Sequence, residues 1–215
     1  MKIEGLGGSV ALFFRLAVDI EKIRRILKKN KFEMISSPPL EVSVGMLATP
    51  AKEAIAKKDN AIIRYDAQRY LMDIVGFIED FSDLLDILVA ALGKSGYDMK
   101  KMVRYLEFNT RLEEKTQTNI YESINKDLNL ESFSKIAELL NEQKLKAFEI
   151  NLSNLDNPLN DKWLSFRVSP DINSSNILRI QITKRTETFA EMKSFLGTLN
   201  NNFEAIIEFF KGVEE

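Results

Sequence analysis

Stretches in which apolar residues alternate or run together are followed, twice along this chain, by stretches in which they recur every three or four positions. The segment "SVALFFRLAV" has the length and residue types of a buried strand. "VDIEKIRRILKKNKF" follows with Ile20, Ile23, Ile26 and Leu27 at helical spacing, and Asp19 stands where an N-cap belongs. "SSPPL" is a turn or linker, because Pro38 and Pro39 forbid helix, and "LEVSVGMLA" alternates as a strand does. Residues 49–58 admit two readings. Thr49-Pro50 is a good helix start, yet the segment is short and lies between strand patterns, as an edge strand would. "NAIIRYDAQRYLMDIVG" predicts two strands joined near Asp66-Ala67-Gln68. Next comes a helix with Phe77, Phe81, Leu84, Leu85 and Leu88 on one face, ending near Gly93 and Gly96.

The second part repeats this order. "MVRYLEFNTRL" predicts a strand, and "NIYESINKDLNLESFSKIAELLNEQ" one helix or two short ones. "KAFEINLS", "WLSFRVSP" and "NILRIQITKR" predict strands. A closing helix then carries Phe189, Met192, Phe195, Leu196, Leu199, Phe203, Ile206, Ile207 and Phe210 on one stripe. Set without a gap over the segment from Leu178, the segment from Tyr70 aligns Met72 with Ile180 and Ile74 with Ile182. It also aligns Phe81 with Phe189, Leu84 with Met192 and Leu88 with Leu196. An ancestral duplication produces such matches, and so does any strand that leads into an amphipathic helix.

These elements predict an α+β fold: an antiparallel sheet with helices packed on one face. Two similar strand-helix-strands-helix halves, 1–98 and 99–215, would share one continuous sheet and core, related by a pseudo-two-fold axis. In element order this layout resembles the duplicated saddle of the TATA-box-binding protein family, and also paired ferredoxin-like units. A likeness of element order brings no function with it.

Composition mainly prunes. The chain has 215 residues with no cysteine and no histidine, which removes thiolate chemistry, thiolate zinc sites, imidazole metal ligands and the histidine-based triads. A formal charge of −2 argues against a general polyanion binder but allows a local basic patch. Lys2 and the apolar run from Val10 to Val18 look like a signal peptide at first sight. Arg15 interrupts that run and no small-residue cleavage site follows it. With no apolar stretch long enough to span a bilayer, the expectation is a cytoplasmic protein without a membrane partner.

Four features compete as sites. Gly5-Leu6-Gly7-Gly8-Ser9 suggests a phosphate loop, but a strand rather than a helix follows it, so the amides that hold a phosphate are missing. It reads instead as a flexible lead-in or a bulged edge. On the first helix Lys22, Arg24, Arg25, Lys28, Lys29 and Lys31 crowd together, either as an anion-binding face or as the solvated side opposite its apolar stripe. Strand-borne Arg64, Arg69, Arg167 and Arg179, with neighbouring aromatics, could face phosphates and bases, although alternation sends Arg64 and Tyr65 to opposite faces. Asp80, Asp83 and Asp86 lie three apart on one helix, and Asp66 and Asp73 flank the hairpin, without a recognised metal or glycosidase spacing.

The expectation is therefore a binding or assembly protein without catalysis or cofactor, acting through the sheet face and the C-terminal helix. Ile206, Phe209 and Phe210 make the end of that helix broader than one buried face requires, which suits either a longer core or an interface for self-association or a protein partner. The alternative is nucleic-acid binding, with Lys22, Arg25, Lys28, Lys29, Arg64, Arg69, Arg167 and Arg179 as the candidate contacts.

Overall fold

The structure, a computed structural model, describes residues 6–35, 52–126, 147–154 and 161–211. Among them are nine strands: β1 (Gly7–Phe14), β2 (Glu33–Met34), β3 (Glu53–Lys58), β4 (Ala61–Asp66), β5 (Leu71–Phe77), β6 (Val103–Lys115), β7 (Ile150–Ser153), β8 (Trp163–Asp171) and β9 (Ser174–Thr186). Five helices accompany them: α1 (Ile20–Lys29), α2 (Phe81–Lys94), α3 (Met99–Met102), α4 (Ile120–Lys126) and α5 (Phe189–Lys211). The strands form one sheet in the order β2-β3-β4-β5-β1-β6-β9-β8-β7. Every adjacent pair is antiparallel. The fold is thus α+β with a nine-stranded antiparallel sheet. The predicted strand at "LEVSVGMLA" lies outside the described residues, as does most of the helix predicted over 119–143.

Alternation sorts each strand into two faces. Val10 and Leu12 on β1, Ile63 on β4, Met72 and Ile74 on β5, Leu106 and Phe108 on β6, and Ile180 and Ile182 on β9 point one way and are buried. The helices cover that side as a layer in which α1 touches α2, α2 touches α5 and α5 touches α4. Helix α1 contributes Ile23 and Leu27, α2 contributes Phe81, Leu85 and Leu88, and α5 contributes Met192, Leu199 and Phe203. Phe108 lies beneath the layer's midline, with its ring 6.4 Å from Phe81 of α2 and 5.6 Å from Phe195 of α5, both edge-on.

Local chemistry explains the boundaries. Asp19 caps α1 by accepting from the Lys22 amide at 3.2 Å. Helix α2 ends in a Schellman turn. The Tyr97 amide donates to the Leu92 carbonyl at 3.2 Å and the Gly96 amide to that of Gly93 at 2.9 Å, with Gly96 at φ +85°. In the β4–β5 hairpin the Asp66 carboxylate accepts from the Gln68 and Arg69 amides, both at 3.0 Å, and Tyr70 takes φ +50°. Of the two readings of 49–58, residues 53–58 are strand: β3 pairs with β4 through Lys58 opposite Ala61.

The glycine cluster has a different role from the one read in sequence. Gly7, Gly8 and Ser9 are not slack before the sheet. They lie in β1, its central strand. A Cβ on Gly8 would come within 2.9 Å of the Asn109 carbonyl oxygen and 3.3 Å of the Thr110 Cβ, so glycine sets how closely β6 can approach. The Thr110 hydroxyl donates to the Gly7 carbonyl at 2.8 Å and fastens the same junction. Gly7 has open space at that position. We therefore expect Gly8→Ala to destabilise the fold by about 1–3 kcal/mol through overpacking, and Gly7→Ala to stay within about 0.5 kcal/mol of the parent. Denaturant midpoints measured side by side check the contrast.

Candidate functional site

The candidate cations separate onto opposite sides of the sheet. Lys22, Arg25, Lys28 and Lys29 are exposed on α1, in the helix layer. Arg64, Arg167 and Arg179 project from β4, β8 and β9 on the other face, which no described helix covers. Arg69 belongs to neither group; it sits in the β4–β5 turn, 3.8 Å from Asp66. One surface cannot use all eight.

On the open face the strand cations are matched to carboxylates. A single rung runs Ala54, Arg64, Asp73, Ala11, Glu107, Arg185, Trp163 across seven strands. Asp73 is 1% exposed because Arg64 and Lys52 close over it while Ala11 leaves it room. Arg64 donates from Nε at 2.9 Å and from Nη2 at 2.6 Å, and Lys52 donates at 2.6 Å. The hydrogen bond to Asp73 pushes the Arg64 guanidinium above its already high ordinary pKa. Further along, Arg185 donates to Glu107 at 2.6 Å. Arg179 lies 3.0 Å from Glu113 and also reaches Asp171, and Arg167 lies 3.1 Å from Glu149. Such cations are internally neutralised, and a phosphate would have to displace a carboxylate to reach them.

The aromatics of that face are also engaged. Phe13 stacks on Tyr105 with ring centroids 4.4 Å apart. The Arg185 guanidinium lies between two rings, 5.0 Å from the centroid of Tyr105 and 5.1 Å from that of Trp163. Burial is the main cause that raises the Tyr105 hydroxyl pKa, with the Arg185 charge opposing it. The Trp163 indole donates to the Ser153 hydroxyl at 2.7 Å.

The interface candidates of the closing helix do converge on one place. Ile206, Phe209 and Phe210 line an apolar cleft of about 420 Å³ together with Ile124 of α4, Ile150 and Leu152 of β7 and Phe166 of β8. Phe210 belongs to its buried floor, Ile206 is half-buried, and Phe209 stands 69% exposed at the rim. Leu152 of β7 is 57% exposed, and Phe148, two residues before that strand, is 48% exposed. Composition alone could not reveal Leu152 and Phe166 as neighbours of Phe209 in one cleft, since alternation marks them only as ordinary inward strand residues. Leu152 belongs to β7, the last strand of the described sheet.

The acidic candidates do not gather. Asp83 and Asp86 are exposed on α2, and Asp86 accepts from Lys193 of α5 at 2.6 Å. Among the described residues no three acidic groups come together in a way that could hold a metal ion. No described helix is long and apolar enough to cross a membrane. No protein-family model and no curated protein matches the sequence.

The open face yields a stability test. Removing Asp73 leaves Arg64 and Lys52 converging with no acceptor, whereas Glu113 is half-exposed and its ion pairs lie in water. We expect Asp73→Ala to cost about 2–4 kcal/mol and Glu113→Ala under about 1 kcal/mol. Equilibrium chemical denaturation separates the two.

Proposed function

We propose that this chain is a non-catalytic assembly module that joins a second copy of itself through the end of α5 and the edge of the sheet at β7. The observation that carries this reading is the apolar cleft with Phe209 and Leu152 of its lining exposed. A two-fold contact uses the same patch on both partners, so an apolar groove with an apolar rim is self-complementary in kind. The two edges of the described sheet differ in a way that supports the choice. Edge β2 is only two residues long, and its Glu33 is tied to Lys57 at 3.1 Å. Edge β7 runs Ile-Asn-Leu-Ser, without charge or proline, the devices that normally prevent strand-to-strand association. The open sheet face contributes little adhesion on this reading, because its charges are already paired.

The two halves read as an ancestral duplication, which would give the protein its pseudo-two-fold axis between β1 and β6. Apart from the one-turn α3, the first half runs strand, helix, four strands, helix and the second runs strand, helix, three strands, helix among the described elements, the two-residue β2 being the extra strand. Strand β5 beside β1 has its counterpart in β9 beside β6. Met72 and Ile74 face the helices from β5 as Ile180 and Ile182 do from β9.

Light scattering across a concentration series tests the assembly. The parent should give twice the mass of one chain, and both Phe209→Glu and Leu152→Lys should give a single-chain mass with an unchanged circular-dichroism spectrum. A parent that remains a single chain at every concentration defeats the proposal, as does a Phe209→Glu variant that still doubles.

A further inference from the structure

We infer that the outer face of α1 is an electrostatic docking surface for the phosphate backbone of a nucleic acid, separate from the α5 cleft and from the open sheet face. Along this helix Ile23 and Leu27 are fully buried, which fixes its rotation and turns Lys22, Arg25, Lys28 and Lys29 outward. From Lys22 to Lys29 they run along about 10 Å of helix at 1.5 Å per residue. Glu21, the one carboxylate of α1, is held by Arg24 at 3.4 Å, and Arg24 is held in turn by Glu53 at 2.7 Å. Lys22 keeps only a 3.8 Å contact with Asp19. Arg25, Lys28 and Lys29 have no ion-pair partner among the described residues, unlike Arg64, Arg167, Arg179 and Arg185 on the other face. Lys31, just past the helix at φ +66°, adds another exposed cation.

The surroundings favour phosphates over the other anionic partners. A protein interface needs an apolar centre with the charges at its rim, and none of the exposed large hydrophobic residues lies on α1 or β2. An anionic membrane would be gripped by a helix that inserts its apolar face, but the Ile23 and Leu27 side of α1 is committed to the core. Backbone phosphates need only cations spaced along a line. With a chain charge of −2 opposing the approach, binding is sequence-independent and confined to low ionic strength.

Fluorescence anisotropy of a short labelled DNA duplex and of one of its strands, titrated at several salt concentrations, tests this. The parent should bind at low salt, with log affinity falling against log salt at a slope of about −3, as expected for three to four neutralised phosphates. The triple variant Arg25→Gln/Lys28→Gln/Lys29→Gln should lose at least about tenfold in affinity and most of that slope, roughly one unit per cation removed. Its melting curve should match the parent, since all three side chains are exposed. Arg111→Gln on the open face should bind as the parent does. The inference fails if the parent shows no binding at low salt, or if the triple variant binds equally well. It also fails if poly-glutamate competes as effectively as unlabelled DNA, which would assign the face to an acidic protein.

Discussion

The rest of the structure depends on the contact between β1 and β6. These strands come from residues 7–14 and 103–115, and their antiparallel pairing is the seam that joins β2–β5 on one side of the sheet to β7–β9 on the other. Ordering so much intervening chain costs conformational entropy before the seam returns any stability. Gly8 permits the approach of β6, the Thr110 hydroxyl bonds the Gly7 carbonyl, and Phe108 sets one ring against both central helices. Sheet and helix layer therefore meet at the same strand pair, and the core is continuous across it.

The sheet's second face follows from that continuity. A broad face that no described helix covers carries polar strand residues, and bringing many charges together needs compensation. Compensation is arranged strand by strand: Arg64 with Asp73, Arg185 with Glu107, and Arg179 with Glu113 and Asp171. The same pairing that stabilises the face makes it a poor competitor for outside anions. Among the described residues, two other places stand out. One is apolar, where α5 and β7 run out; the other is cationic, along α1. They call for different partners, because one gains by removing apolar area from water and the other by releasing counterions.

Much of this architecture could be read from spacing. The stripe predicted on the closing helix is largely its buried face, from Met192 to Phe210, with Phe189, Phe195 and Ile206 at its margin. Asp19, Gly96 and the Asp66 hairpin perform the local roles their residue types announce. Alternation placed Arg64 and Tyr65 on opposite faces, and they are there: Tyr65 is buried beneath the helices while Arg64 covers Asp73. Two segments were harder. Residues 53–58 have no strong rhythm, and what makes them strand is the hydrogen-bonding edge of β4. The glycine cluster signals freedom of the chain but not the neighbour it must admit.

By itself the sequence determined the α+β character, most of the described strands and helices with their inward sides, and the lack of cysteine and histidine. Each follows from residue identity or from spacing within a few turns, and short-range physics is enough to settle them. Which distant residues would meet was settled only by the tertiary structure. It paired the strand arginines with carboxylates, set Phe209 beside Leu152, left Arg25, Lys28 and Lys29 of α1 without an ion-pair partner among the described residues, and turned Gly8 from an apparent flexible lead-in into a close contact with β6. Ion pairing, exposure and steric contact are relations between neighbours in space, and no periodicity along one segment encodes its neighbours on another.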